Sequence, residues 1–357
     1  MSVKICYFGS PDNDNSRNRV LLRGLDEIGA ISCVCSDKSF WPFRIIRLFF
    51  KHWRVRNKYD VMFIGFPGQI AVILAKFVTR KPVVFDPFIS LYNTVIEDRK
   101  FHSRISLQSL WYFTLDWLSL NIADAVIADT VAHADYYRKK FGVRKEKFAI
   151  VPVGVREDIF FPRLPKDAGR DNMFIASFHG TYIPLHGIEY IIESAKLLEK
   201  EKSVHFRLLG TGQVLPEIKS LVKKYKLSNI ELIEKRLSYE ELPEYISSAD
   251  VCLGIFGKTE KARMVVPNKV YECLAMGKPI ITADTPAVRE FFKDGESIAL
   301  VDADDPSSLS DCVMSLKNDI NKMNKLSLNG LELSRRNFTS RIIAERMVKD
   351  ISILVSL

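Results

Sequence analysis

The sequence predicts an α/β protein of two doubly wound domains, each a parallel sheet with helices on both faces. Three observations predict it. The chain has 357 residues, more than one hydrophobic core ordinarily carries. Short apolar runs alternate with longer amphipathic stretches, the rhythm of βα units and therefore of parallel strands. The runs fall into two sets of six, parted by Pro152–Asn172, which holds three prolines and no clear periodicity.

In the first set, "VKICYFG", "ISCVC", "DVMFIG", "KPVVFD", "DAVIAD" and "KFAIVPVG" read as strands. In the second, "DNMFIASFHG", "VHFRLLG", "NIELIE", "ADVCLGIFG", "KPIITAD" and "SIALVDA" do. Helical periodicity fills the intervals, as at Arg17–Ile28, Val131–Lys140, Gly187–Glu199, Tyr239–Ser247 and Pro306–Leu316. The expected domains are 1–160 and 161–338. A last helix, 339–357, is expected to pack back towards the first domain, because it carries more apolar surface than a free tail needs. Ligands of such sheets bind beyond the carboxyl ends of the strands, so two domains facing a central cleft would line it with βα turns.

Composition is that of a globular protein, with 47% hydrophobic and 27% charged residues. No apolar run reaches membrane-spanning length. The first ten residues read as a strand and not as a secretion signal. The six cysteines, at 6, 33, 35, 252, 273 and 312, form no CxxC pair, which points to a reducing, cytoplasmic setting without metal or disulfide use. The net charge of +9 is unevenly placed: residues 1–165 hold 25 Lys and Arg against 16 Asp and Glu, and the remainder holds 27 of each. The first half should therefore meet something anionic.

The chemistry is expected in the βα turns. Gly9 and Ser10 follow the first strand, with Arg17, Asn18 and Arg19 opening a helix; they suit an anion or sugar hydroxyls, or else form a polar loop with a helix cap. After the first strand of the second half come Gly180 and Thr181, then His186 and Gly187 just ahead of a helix, where free N–H groups favour phosphate. Gly210 and Gly212 form a GxG turn, but no third glycine follows, which argues against a nicotinamide fingerprint. Asn268 opens a helix after Pro267, placing Lys269 in the first turn, where a cation is locally unfavourable by a few tenths to about 1 kcal/mol. Glu272 lies one turn on, and Lys261 precedes both. Lys269 on a diphosphate and Glu272 on vicinal ribose hydroxyls would fit a nucleotide; a plain intrahelical pair is the bland alternative. The D-x-D near Asp302 reads as helix-capping acids, so no metal is expected.

Residues Lys38–Lys58 hold seven Lys/Arg, six Phe/Trp and no acid. Arg44, Arg47, Lys51, Arg54 and Lys58 recur at helical spacing, and Ile45, Leu48, Phe49 and Trp53 form much of another stripe. This suits a helix lying on an anionic membrane surface, or an ordinary helix with a solvated basic face. No nucleic-acid-binding signature is present.

The blocks "FHGTYIPLHGIEYIIESAKLL", "FRLLGTGQ", "LSYEELPEYISSADVCLGIF" and "YECLAMGKPIITADTPAVREFFKDGESIALVDADDPSSL" resemble, in order and spacing, the second domain of the GT-B glycosyltransferases of family 4. They cover most of residues 173–309. The first half is similar more loosely, through "RNRVLLRGLDEIGA" and "VPVGV". The resemblance implies a GT-B fold and metal-independent transfer of a sugar, with retention, from a nucleotide diphosphate donor, with no cofactor. Glu272 matches the family's ribose-binding glutamate. Thr181 and His186 stand where the family has arginine and lysine, Met264 stands at the first glutamate, and the first-domain histidine is absent, leaving Asp86, Asn93, Glu97 and Asp98 nearby. The resulting expectation assigns Lys269 and His186 to the leaving diphosphate and Asp86 to the acceptor. That acceptor is expected to be lipid-linked or a glycan, met by a peripheral protein on the inner face of the cell membrane, in cell-envelope polysaccharide or glycolipid synthesis. An epimerase on the same fold, and a non-catalytic sugar-nucleotide-binding membrane partner, remain as alternatives.

Overall fold

The computed structural model describes residues 3–9, 15–37, 39, 41–165 and 173–356, with backbone only at 41 and 42. It divides into two compact units, Met1–Gly154 with Thr339–Leu357, and Val155–Phe338.

In the first unit β1 (Ile5–Gly9), β2 (Ile31–Ser36), β3 (Val61–Ile64), β4 (Val83–Phe85), β5 (Ala125–Ala128) and β6 (Phe148–Ile150) form a six-stranded sheet in the order β2-β1-β3-β4-β5-β6. All pairings are parallel. The crossovers are α1 (Ser16–Glu27), α2 (Trp41–Val55), α3 (Gln69–Val78), α4 (Leu107–Ile122) and α5 (Val131–Phe141). Strands β1, β3, β4 and β5 are buried at every position, as expected of central strands covered on both faces.

The second unit repeats the plan. Its strands are β7 (Phe174–His179), β8 (Val204–Leu209), β9 (Ile230–Ile233), β10 (Val251–Leu253), β11 (Ile280–Ala283) and β12 (Ala299–Val301), in the parallel order β12-β11-β10-β7-β8-β9. Around them lie α6 (Ile188–Leu197), α7 (Leu215–Tyr225), α8 (Leu242–Ser247), α9 (Glu260–Met264), α10 (Asn268–Ala275), α11 (Pro286–Arg289), α12 (Pro306–Asn318) and α13 (Ile320–Asn337). Phe178, Ile191, Phe206, Val251, Ile281 and Leu309 belong to one core cluster. Strand order reverses between β7 and β10, which makes the carboxyl ends of those strands the place for a ligand.

The last helix, α14 (Ser340–Leu354), packs on α1 and β6 of the first unit. Gly24 of α1 makes this possible: a Cβ there would sit 1.9 Å from the Ser340 carbonyl oxygen. Ile343, Ala344, Met347 and Ile351 give α14 its buried stripe at helical spacing.

Candidate functional site

The second unit gathers most of the expected residues around the end of β7. Helix α10 begins at Asn268, with Pro267 as its N-cap in an extended conformation. The hydrophobic residues on either side of Lys269 and Glu272 anchor that helix, and Val270, Tyr271, Cys273 and Leu274 are all fully buried. Both polar side chains are therefore carried inward.

Lys269 is only 5% exposed. Its Nζ has no hydrogen-bond partner and rests 3.6 Å above the centroid of the Phe178 ring. The ring face compensates the charge in part, yet burial lowers the amine from its ordinary 10.5 to about 7. Gly180 lies directly over it: a Cβ on that residue would come within 2.9 Å of Nζ. Glu272 does not pair with Lys269. Its Oε2 accepts instead from His179 Nε2 at 3.1 Å, and the other oxygen keeps its lone pairs. The bland intrahelical pair is not formed.

His186 Nδ1 is 2.5 Å from the Thr181 carbonyl. A carbonyl only accepts, so Nδ1 carries the proton and the Nε2 lone pair is open. Burial holds this imidazole well below its ordinary value and the Lys269 charge pushes the same way, against the Thr181 carbonyl. In the free protein both effects favour the neutral ring. Lys261, on α9, is buried and its charge also acts on His186.

A cavity of about 210 Å³ opens beside this cluster. His179, Gly180, Thr181 and Gly210 line one side, and Lys235, Arg236, Leu237 and Leu242 the other. Lys269, Glu272 and His186 stand behind that wall, reached through His179 and Gly180.

The remaining glycines serve the backbone. A Cβ on Gly210 would lie 1.9 Å from the Gly180 carbonyl oxygen, one on Gly212 2.4 Å from that of Tyr182, and one on Gly187 2.4 Å from the Gly257 nitrogen. They let neighbouring βα turns touch. Gly9, at φ +123°, ends β1 in the first unit, and Ser10 lies outside the described residues. Asp86 is not available to an acceptor: its Oδ2 receives Arg17 Nε at 2.7 Å and its Oδ1 the Phe88 N–H at 3.1 Å, and both Arg17 and Asp86 are buried. Arg17 also donates through Nη1 to the carbonyls of Val151 (3.0 Å) and Pro152 (2.5 Å), so the pair is a structural clamp. Asn93 and Glu97 are likewise engaged, with Glu97 receiving Asn93, Tyr136 and Lys140. Asp305 caps α12 and Asp304 pairs with Lys258; among the described residues no three His, Cys, Asp or Glu converge as metal donors.

Sequence reasoning missed His179, the direct partner of Glu272, and the cations Lys235 and Arg236. The histidine ends a strand and looks like strand material, though "FHG" at a strand-to-glycine turn was a usable signal. In helix α2 Leu48 and His52 are buried, while Phe49 and Trp53 of the expected apolar stripe are exposed, together with Phe43 and Phe50 at 62% each. Lys38, at the segment's start, lies outside the described residues. No helix among the described residues is long and apolar enough to cross a membrane.

Comparison with known proteins defines the class. The chain is similar to solved structures of the GT-B fold. The sucrose-phosphate synthase of Thermosynechococcus elongatus matches at TM-score 0.75, 15% identity and 99% coverage of both chains. Anabaena HepE, solved with UDP-glucose, matches at TM-score 0.72 and 16% identity, covering 99% of this chain and all of that one. These likenesses establish the fold. Residues 173–319, within the second unit, match the model of the family described as Glycosyl transferases group 1, and the protein has the GT-B fold. Among relatives in sequence, an uncharacterized glycosyltransferase of Methanocaldococcus jannaschii is 25% identical over 54% of this chain. The MMP alpha-(1->4)-mannosyltransferase of Mycolicibacterium hassiacum is 26% identical over 58%. The chain spans about half the length of these curated relatives, 50% and 49%.

Proposed function

We propose that the chain transfers a sugar from a nucleoside diphosphate donor to a lipid-linked or glycan acceptor. The observation that carries this reading is Lys269, a buried cation without a hydrogen-bond partner, aimed at a glycine turn on the edge of a cavity. A buried polar group left unsatisfied is costly unless something arrives to satisfy it. A diphosphate over Gly180 would do so, and would raise the lysine back towards full protonation.

The other residues then take distinct roles. Glu272, oriented by His179, receives vicinal ribose hydroxyls. Leu237, Lys235 and Arg236 face the base across the cavity, which at about 210 Å³ takes only part of a ligand, pockets for whole ligands being about 300–1,000 Å³. Charge developing on the leaving diphosphate is met by Lys269 and by backbone N–H groups, a preorganised arrangement that favours the transition state. His186 accepts a donor-sugar hydroxyl through Nε2, and becomes a donor only once protonated. Transfer is of a hexose, with retention and without a metal. The exposed aromatic and basic face of α2 supports a peripheral site of action on an anionic membrane surface, consistent with cytoplasmic work on envelope glycolipids or polysaccharides. The HepE structure with UDP-glucose makes UDP-sugars the first donors to try.

The test incubates the protein with labelled nucleotide sugars and a lipid extract, after ranking nucleoside diphosphates by the rise in melting temperature, since native-state ligands stabilise. Label on lipid or glycan supports transfer. Interconversion of the free donor would replace the reading with epimerisation, and binding without turnover would replace it with a non-catalytic sensor.

A further inference from the structure

The first unit has a cavity of a different kind. It measures about 260 Å³ and its wall is mostly hydrocarbon: Ile45 and Leu48 of α2, Ile70 and Leu74 of α3, Leu91, and Leu115 of α4. Gly9 forms part of the wall, so the cavity reaches the carboxyl end of β1. Strand order reverses there, between β1 and β3, which is where doubly wound sheets take their ligands.

The polar members of the wall are few. Gln69 is engaged, its Nε2 donating to Asp116 at 3.2 Å. Among the described residues Arg44 is held only through Nε, which donates to the Ser39 carbonyl at 3.0 Å, so its two terminal nitrogens can serve an anion. Sugar or ordered water would need several polar partners, and this wall does not supply them. On the outer side of α2, Phe43, Ile46, Phe50 and Trp53 are all exposed beside Arg47 and Arg54. Apolar wall, single cation and aromatic-basic rim are thus continuous on one helix.

We propose that this cavity receives the hydrocarbon chain of a single-chain lipid phosphate, with Arg44 on the phosphate. The volume holds a segment of roughly eight or nine carbons, at the about 30 Å³ that a water-sized group fills, which suits one chain and not two. Calling that lipid the acceptor rests on the transfer reading; its binding does not.

The experiment titrates the full-length protein by calorimetry with butyl, hexyl, octyl, decyl and dodecyl phosphate below their micelle concentrations. Affinity should climb about fourfold per methylene and level off near the length that fills the cavity. Decanol, lacking the phosphate, should bind at least about tenfold more weakly than decyl phosphate, the scale of a charge-assisted contact. Ala71→Phe, which projects into the cavity, should lower decyl phosphate affinity at least about tenfold, while sedimentation with anionic vesicles stays at the wild-type level. Arg44→Gln should abolish the preference for decyl phosphate over decanol. Circular dichroism checks that both variants fold, and the wild-type chain-length series stands without them. An affinity that ignores chain length overturns the proposal. So does undiminished binding in Ala71→Phe, or loss of chain and vesicle binding together, which would mean surface adsorption of two-chain bilayer lipid. Decyl phosphate binding without sugar transfer from any donor would sink the transfer reading alone. Transfer to a lipid that Ala71→Phe leaves untouched would sink the cavity alone.

Discussion

Each unit buries a cation close to the carboxyl end of its parallel sheet, and the two cations are treated in opposite ways. Arg17 in the first unit bonds Asp86 through Nε and the carbonyls of Val151 and Pro152 through Nη1, and only its Nη2 is left without a hydrogen-bond partner. Lys269 in the second has an aromatic ring beneath it and no hydrogen-bond partner. One cation ties together chain segments far apart in sequence. The other is held in place by its helix and left open on the side of a glycine turn. Burial alone therefore does not tell the two charges apart; a carboxylate partner, which Arg17 has and Lys269 lacks, does.

The largest effect should come from breaking the Arg17–Asp86 ion pair. Asp86→Ala leaves the Arg17 guanidinium buried without its acid, and should cost about 3–5 kcal/mol of stability in chemical denaturation. A loss under about 1 kcal/mol would mean that Asp86 is not a clamp. The matching change at the open cation should behave in reverse. Lys269→Met removes a buried, poorly solvated ammonium, so stability should hold or rise by roughly 1–3 kcal/mol, while affinity for a nucleoside diphosphate falls at least about tenfold. If Lys269→Met instead unfolds the protein as Asp86→Ala does, the contrast between the units disappears.

A smaller effect is expected at Glu272. Glu272→Gln keeps the shape but weakens acceptance from hydroxyls and the His179 contact, and should lower nucleotide affinity by roughly 5–15-fold. The test is comparison with a 2′-deoxy diphosphate: wild type should prefer the ribonucleotide and Glu272→Gln should not. Equal preference in both proteins would remove Glu272 from the ribose.

The mildest signature is in pH. Lys269 has a folded value of about 7, below the ordinary 10.5 that serves for the unfolded chain. Between these values the unfolded state binds more protons, so the contribution of this group to stability rises with pH across that window, and its penalty is fully present below about pH 7. Ligand binding has the opposite sign. Diphosphate favours the charged amine, so affinity should be flat below about pH 7 and fall as pH rises above it. Denaturation and binding curves at successive pH values check both slopes, and Lys269→Met should flatten each.

Much of the architecture was legible beforehand. All twelve strands coincide with apolar runs read from the sequence, because central strands of parallel sheets must be apolar on both faces and so stand out from amphipathic helices. Lys269 and Glu272 were legible because a cation in a first helical turn breaks a local rule. Asp86 was misread because its partner lies 69 residues away, and no local pattern reports such a pairing. The neutral form of His186 was not legible, because its burial and the neighbouring Lys269 charge are properties of the fold. That Gly187 and Gly212 also let one turn approach another was not legible, because the neighbouring backbone lies far off in sequence. In α2 spacing showed a stripe of Ile45, Leu48, Phe49 and Trp53 but not which of its members the fold covers: Leu48 is buried, while Phe49 and Trp53 are exposed.

The central claim is that Lys269 waits for a diphosphate. Calorimetry of UDP binding at pH 8, repeated in buffers of different ionisation enthalpy, counts the protons taken up. The account predicts uptake approaching one proton in the wild type and none in Lys269→Met. Binding by the wild type with no uptake, or with an uptake that Lys269→Met leaves unchanged, would contradict it.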